Sequence, residues 1–280
     1  MDADFVTDLP PGLADAFDPP RWLFVRGALP AGQRVAVIGS RRASAYGLSM
    51  AGGIGSALAA DGRVVVSGLA RGVDGAAHRG MVASGGRGIA VLGSGIDVWY
   101  PLQNRPLGEQ MIACGGCVTS EFPPGTPPEA WRFPCRNRII AALSQVVVVV
   151  EAAERSGALI TARLALEMGR EVFAVPGDID RPTSVGCNLL IRDGAFPVTS
   201  IKEMSEAIDS AIGAVPRSEV PQRGPLWGLV GAVSITLDDL VSGTGLAAGE
   251  VLAEVARSEA RGEVMIEGGK VRLVPFVAEA

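Results

Sequence analysis

Four turns in this chain of 280 residues carry the residue types that bind an oxyanion. The first reads Gly39-Ser40-Arg41-Arg42-Ala43-Ser44-Ala45-Tyr46-Gly47. The second reads Ser67-Gly68-Leu69-Ala70-Arg71-Gly72-Val73-Asp74-Gly75, followed by Ala76-Ala77-His78. The third is Gly93-Ser94-Gly95, which runs on to Tyr100-Pro101, Asn104 and Arg105. The fourth is Glu151-Ala152-Ala153-Glu154-Arg155-Ser156-Gly157. Glycine lets a backbone approach a ligand closely, and a helix that starts at such a turn offers free N–H groups and a partial positive charge. Ser40, Ser67, Ser94 and Ser156 add neutral donors, and Arg41, Arg42, Arg71 and Arg155 add charge. The sum is a site for phosphate. One glycine-rich turn is commonly only a tight connection, and none of these is a Gly-x-Gly-x-x-Gly fingerprint. Four such turns on one edge are harder to dismiss.

A further stretch, Trp131-Arg132-Phe133-Pro134-Cys135-Arg136-Asn137-Arg138-Ile139-Ile140, interleaves arginines with aromatic rings. That mixture suits stacking on bases while gripping a nucleic-acid backbone. The plainer alternative makes Trp131 and Phe133 loop anchors and pairs Arg136 and Arg138 with Glu151 or Glu121.

Positioning these turns on one edge requires a repeating strand–turn–helix unit. Apolar, β-branched runs predict strands over 35–39, 63–67, 88–93, 116–120, 145–151, 171–175 and 196–199. Val146-Val147-Val148-Val149-Val150 is apolar at every position, as in a strand covered on both faces. Helices are expected between them, over 47–61, 73–84, 107–114, 137–143, 158–168, 188–193 and 201–212. The alternation implies an α/β fold with a doubly wound, mostly parallel sheet. Ligands then bind beyond the carboxyl ends of the strands, where the four turns lie. Residues 1–34 are read as an N-terminal extension and 35–212 as the α/β domain. Residues 213–225, rich in Pro, Gly and charge, are read as a linker. In 226–280, Ser234 looks like the cap of a helix start, 249–260 is amphipathic with Val251, Leu252, Val255 and Ala256 on one face, and a hairpin turns at Gly268-Gly269. Three short helices and a hairpin make a small winged-helix domain.

Bulk properties narrow the choice. The chain is 48% hydrophobic with 37 glycines, enough for a substantial core with many turns. Its net charge of −5 predicts no global attraction to nucleic acid or anionic lipid, so any phosphate-binding surface must be local. Of the 25 basic residues only Lys202 and Lys270 are lysines, and arginine suits bidentate phosphate contacts. The N-terminus is acidic and reads as no signal peptide, and the valine run is too short to span a bilayer. No membrane association is expected. Cys114-Gly115-Gly116-Cys117 has the spacing of half a zinc site that Cys135 and Cys187 could complete on paper. The simpler reading is reduced thiols in a cytoplasmic protein, with Cys117 opening a buried strand and no metal or cofactor bound.

These motifs resemble the DprA/Smf (DNA-processing protein A) family. The resemblance is carried by Val35 to Arg41 with Tyr46-Gly47, the run from Ser67 to Asp74 with Ala77-His78, and Ala90-Val91-Leu92-Gly93-Ser94-Gly95 with Tyr100-Pro101 and Asn104. It continues through Ser120-Glu121 with Pro123-Pro124-Gly125, Phe133-Pro134 with Arg136-Asn137-Arg138, and Val150-Glu151-Ala152 with Ser156-Gly157 and Thr161-Ala162. It closes on Val175-Pro176-Gly177 and the block from Asn188 to Ala195. The resemblance implies an extended Rossmann-like fold that binds and protects single-stranded DNA, forms homodimers and loads the RecA recombinase during natural transformation. It also implies a phosphate groove over the first turn, the second turn and the Phe133-to-Arg138 segment. The residues expected to meet DNA are Gly39, Ser40, Arg41, Arg42, Ser67, Gly68, Arg71, Gly72, Ser94, Asn104, Arg105, Arg132, Phe133, Arg136, Asn137, Arg138, Ser156 and Gly157. There are two departures. No helical domain that some members carry is evident before the Rossmann unit, and Ser44 stands where the family has threonine.

The main alternative is an enzyme, a nucleotide or nucleoside-phosphate hydrolase on a related fold, with Glu121, Glu151 or Asp74 supplying a carboxylate. No paired-carboxylate spacing supports it. His78, the only histidine, lies four residues after Asp74, and a hydrogen bond between the two at a helix start explains it without a triad. A nicotinamide-dependent dehydrogenase is disfavoured by the missing fingerprint and by the lack of an acid at the end of the second strand. No catalytic residue is assigned.

Overall fold

The computed structural model describes residues 4–7, 9–10, 12–14, 16–215, 235–244, 247–260 and 264–273. The chain divides into two compact units, Met1–Pro216 and Arg217–Ala280.

In the first unit β1 (Asp4–Val6) and β2 (Leu23–Gly27) precede the repeating pattern. The pattern then runs β3 (Arg34–Ile38), α1 (Ala45–Ala60), β4 (Val64–Ser67), α2 (Val73–Ala83), β5 (Gly88–Val91), α3 (Arg105–Ala113) and β6 (Cys117–Ser120). It continues with α4 (Arg132–Leu143), β7 (Val146–Val149), α5 (Gly157–Glu167), β8 (Glu171–Ala174), α6 (Val185–Arg192), β9 (Phe196–Pro197) and α7 (Ile201–Ile212). All nine strands join one sheet in the order β1-β2-β6-β5-β4-β3-β7-β8-β9. From β6 to β9 every neighbouring pair is parallel. Each strand expected from the sequence is present. The extension is where the structure adds something: β2 pairs antiparallel with β6 and β1 pairs antiparallel with β2, so 1–34 contributes two strands, with β1 at the edge of the sheet.

Consecutive apolar residues along a strand serve opposite faces, because side chains alternate. Val35 and Val37 pack with Ile54 and Leu58 of α1 and Met81 of α2. Ala36 and Ile38 pack on the other side with Ile139 and Leu143 of α4 and Ala162 of α5. The valines of β7 divide the same way, Val146 and Val148 to the first face, Val147 and Val149 to the second. This two-sided burial is why these strands read as unbroken apolar runs.

The topology fixes where a ligand can sit. From β3 the chain steps outward through β4, β5 and β6, then α4 carries it back so that β7 pairs on the other side of β3. The winding direction reverses between β3 and β7. In open α/β sheets the crevice beyond the carboxyl ends at such a reversal is the usual ligand site.

The second unit contains β10 (Ile235–Thr236), α8 (Leu237–Thr244), α9 (Ala248–Ala260), β11 (Val264–Glu267) and β12 (Lys270–Leu273), with its three strands in the order β10-β12-β11. Its own core joins Leu240, Val251, Val255, Val264 and Val271. Any earlier helix of a three-helix module would fall in 226–233, outside the described residues, as does Ser234. The Thr236 hydroxyl accepts from the Asp239 N–H at 3.2 Å, so the start of α8 is capped by Thr236. On α9 the buried stripe is Val251, Val255 and Ser258, whereas Leu252 is 52% exposed. The expected Gly268-Gly269 hairpin is present, with φ of 58° and 74° as a two-residue turn of that hand requires. Among the described residues no helix is long and apolar enough to cross a membrane.

Candidate nucleic-acid interface

The turn after β3 is pinned from three sides. The Ser40 N–H donates to the Glu151 carbonyl at 2.6 Å, and the Ser40 carbonyl accepts from the Val73 N–H at 3.1 Å. The Glu151 carboxylate, itself buried, accepts the Ser44 N–H at 2.8 Å, and the Ser44 hydroxyl caps α1 by accepting from Gly47 at 3.1 Å. This framework leaves Arg41 and Arg42 exposed at the tip of the turn. The Arg41 guanidinium lies 4.5 Å from the Phe133 ring centre, within cation–π range. Neither arginine forms an ion pair among the described residues.

The second turn is built mostly for internal support. Ser67 is fully buried and donates to the Val37 carbonyl at 2.7 Å. Gly68 leaves no room for a side chain because the Arg136 guanidinium fills that space. Gly72, at φ 76°, packs against the Ser40 carbonyl where a Cβ would collide. Leu69 holds a left-handed backbone at φ 53°, which is costly without glycine. The buried Asn104 amide secures it by donating to the Leu69 and Ala70 carbonyls at 2.9 and 3.0 Å. Arg71 is exposed. Ser94 is buried and donates to the Val98 carbonyl at 2.6 Å, while Arg105 is exposed and pairs with Glu109 at 3.7 Å.

The arginine-aromatic stretch forms the first turns of α4 and divides by helix face. Arg136 turns inward: it is 3% exposed and donates to the Gly68 and Val91 carbonyls. Burial pulls its guanidinium down to about 10, with the nearby Asp74 opposing that shift. The same burial raises the carboxyl of Asp74, which Arg136 and the Gly68 N–H, donating at 3.1 Å, help keep charged. Arg138 faces outward into ion pairs with Glu121 at 2.7 Å and Asp18 at 2.9 Å. Arg132 pairs with Glu129 at 3.3 Å. Asn137 donates to the Gly157 carbonyl at 3.3 Å.

What remains open is a groove of about 700 Å³ at the reversal between β3 and β7. Nine of the residues expected from the sequence line it: Gly39, Ser40, Arg41, Arg42, Phe133, Arg136, Asn137, Ser156 and Gly157. Ser67, Gly68, Arg71, Gly72, Ser94, Asn104, Arg105, Arg132 and Arg138 are not among its lining residues. One wall is the N-terminus of α5, capped by the Ser156 hydroxyl through the Ala158 N–H at 3.2 Å. Gly157 there has nothing within 4 Å of where a side chain would project. An eleven-residue helix start facing two unpaired arginines makes an electropositive crevice. Tyr100 also lines it, half exposed, with its ring 5.4 Å from that of Phe133. The sequence marked Tyr100 only as part of a motif; an aromatic directly beyond a strand-end turn was the signal that could have placed it in the groove.

The carboxylates weighed as catalytic candidates all have structural partners. Glu121 holds Arg138, Glu151 holds the Ser44 N–H, and Asp74 sits with Gly68 and Arg136. His78 does not hydrogen-bond Asp74, contrary to the i,i+4 expectation. It is fully buried, and burial pulls its imidazole down to about 3, with the Ile89 backbone only partly offsetting the loss of water. Among the described residues no cluster of three or more His, Cys, Asp or Glu could hold a metal ion, and Cys117, Cys135 and Cys187 are free thiols.

Residues 5–209 match the family model of the DNA recombination-mediator protein A. The chain is 46% identical over 209 residues to protein Smf of Escherichia coli K12, covering 74% of this chain and 56% of that protein. It is 41% identical over 199 residues to the DNA processing protein DprA of Bacillus subtilis, covering 70% and 67%. Thus the chain matches little more than half of the first relative's length and two thirds of the second's. Among solved structures, DNA processing protein A from Streptococcus pneumoniae superposes with a TM-score of 0.66 at 39% identity, covering 73% of this chain and 74% of that one. The protein of that name from Helicobacter pylori, described for its single-stranded DNA binding mode, superposes with a TM-score of 0.68 at 29% identity, covering 75% and 97%.

Proposed function

We propose that this chain, which belongs to the DNA recombination-mediator protein A family, binds single-stranded DNA by its phosphates in the groove between β3 and β7. One observation carries the reading: two unpaired arginines and an open helix N-terminus converge on a crevice that also holds two aromatic rings. Arg41, Arg42, Ser40 and the α5 N-terminus take phosphates, and Phe133 and Tyr100 take bases. Such groups see the backbone and the flat face of any base, so little sequence preference follows. A duplex hides its base faces within the stack, out of reach of Phe133 and Tyr100. Arg71, Arg105, Arg132 and Arg138 flank the path, while Ser67, Gly68, Gly72, Ser94, Asn104 and Arg136 support its walls.

The single-stranded DNA binding described for the Helicobacter pylori protein supports this reading. On the same footing the chain acts as a homodimer in the cytoplasm, protects incoming strands during natural transformation and loads RecA on them. The reading is of a binder and not of a hydrolase, because each candidate carboxylate already has a structural partner. The C-terminal unit is a winged helix that serves protein contact. From Gly224 onward the chain carries eight acidic against four basic residues, a balance that repels DNA phosphates.

Fluorescence anisotropy with single- and double-stranded oligonucleotides of equal length tests the proposal. The single strand binds at least about tenfold more tightly at the same salt, and its affinity falls as salt rises. Equal affinity for the duplex overturns the assignment.

A further inference from the structure

We infer that Trp131 is a second base-stacking platform, outside the groove, for the strand that leaves it. The inference rests on the groove reading and extends it. Trp131 stands at the N-cap of α4 and is 56% exposed. A large ring left in water forgoes the burial that usually places tryptophan inside or at an interface. Here the ring is also held still. Its indole N–H donates to Glu129 at 2.6 Å, the Arg132 guanidinium lies 4.5 Å from the ring centre, and Phe122 meets it edge-on with centroids 6.3 Å apart. The Arg132 guanidinium lies over one face of the ring, and with the residue 56% exposed much of the indole still meets water.

Two features identify the occupant as unpaired bases. The first is continuity: Ala130 and Phe133, on either side of Trp131 in sequence, both line the groove. A strand running along this edge meets the indole directly after Phe133. The second is charge. Arg132, held between the Phe122 and Trp131 rings, shares the Glu129 carboxylate with the indole N–H, so a phosphate passing the platform would take it over from an exposed ion pair at 3.3 Å. Stacking on an indole tolerates any base, and a preformed ring loses little entropy on binding.

The test compares wild type, Trp131→Ala and Trp131→Phe, each as the full chain. The ligands are an oligothymidylate longer than the groove and an abasic strand of the same length. Trp131→Ala weakens oligothymidylate binding at least about fivefold, the low end for one base–aromatic stack. Trp131→Phe stays within about twofold of wild type, because phenylalanine also stacks. All three bind the abasic strand alike. The inference is overturned if Trp131→Ala binds oligothymidylate as wild type does, or weakens the abasic strand equally. In either case the groove reading stands as long as Arg41→Ala still weakens binding. If wild type binds neither strand, both readings fall together.

Discussion

Replacing Arg41 with alanine lowers the affinity for a single-stranded oligonucleotide by about ten- to a hundredfold, while Arg257→Ala leaves it unchanged. The difference follows from what each guanidinium does in the free protein. Arg41 is exposed on a turn that Glu151 and Val73 hold in place, and it has no carboxylate partner among the described residues. Its guanidinium lies over the Phe133 ring, and the carboxylate that feels its charge, Asp74, is buried and already faces Arg136. A charge-assisted hydrogen bond to phosphate contributes about 1.5–3 kcal/mol, and truncation removes it. Arg257 is equally exposed, but it pairs with Glu254 at 2.7 Å on a helix that also carries Glu250. Anisotropy titrations of the two variants decide the matter, with far-ultraviolet circular dichroism to show that both are folded. Equal affinities would mean that the groove has been placed on the wrong edge of the sheet.

Arg136→Met destabilises the fold by about 3–5 kcal/mol, a larger effect than that of any exposed arginine. Arg136 is 3% exposed, and its charge balances Asp74, which is 7% exposed, beneath the second turn. Removing one member leaves the other buried and uncompensated. It also leaves the Gly68 and Val91 carbonyls without their donor. Adding Asp74→Asn recovers part of the loss, because the uncompensated charge disappears while the hydrogen bond from Gly68 survives. Urea denaturation of the single and double variants measures both quantities. A single variant within about 1 kcal/mol of wild type would show that the pair is not the support for the turn that its geometry implies.

Much of this architecture was legible from periodicity, and the reason is burial. Strands covered on both faces have few polar positions to confuse them with loops, so β3, β4, β5 and β7 stood out. The two antiparallel strands β1 and β2 did not. β1 has three residues, and β2 is bounded by Pro19-Pro20 and Pro30, so neither shows a sustained pattern. The site was legible at the level of turns, because a strand-end position beside a helix start is fixed by topology. Side-chain direction within a turn was not. Ser67 and Ser94 look the same in sequence as Ser40 and Ser156, yet the first pair face inward to carbonyls and the second pair line the groove. The three arginines of α4 lie at i, i+4 and i+6, and only the rotation of the packed helix decides which is buried, which is paired and which flanks an aromatic ring. Asp74 and His78 are properly spaced for a helical contact, but the carboxylate instead accepts the Gly68 N–H, and the imidazole is buried elsewhere in the core.

Amide hydrogen exchange with and without a bound oligothymidylate tests most directly whether the crevice between β3 and β7 is where single-stranded DNA is held. Binding there slows exchange in 39–45 and 153–158, where the first turn and the start of α5 face the groove, and leaves α8 and α9 unchanged. Protection confined to 235–273, with none at either groove segment, would contradict it.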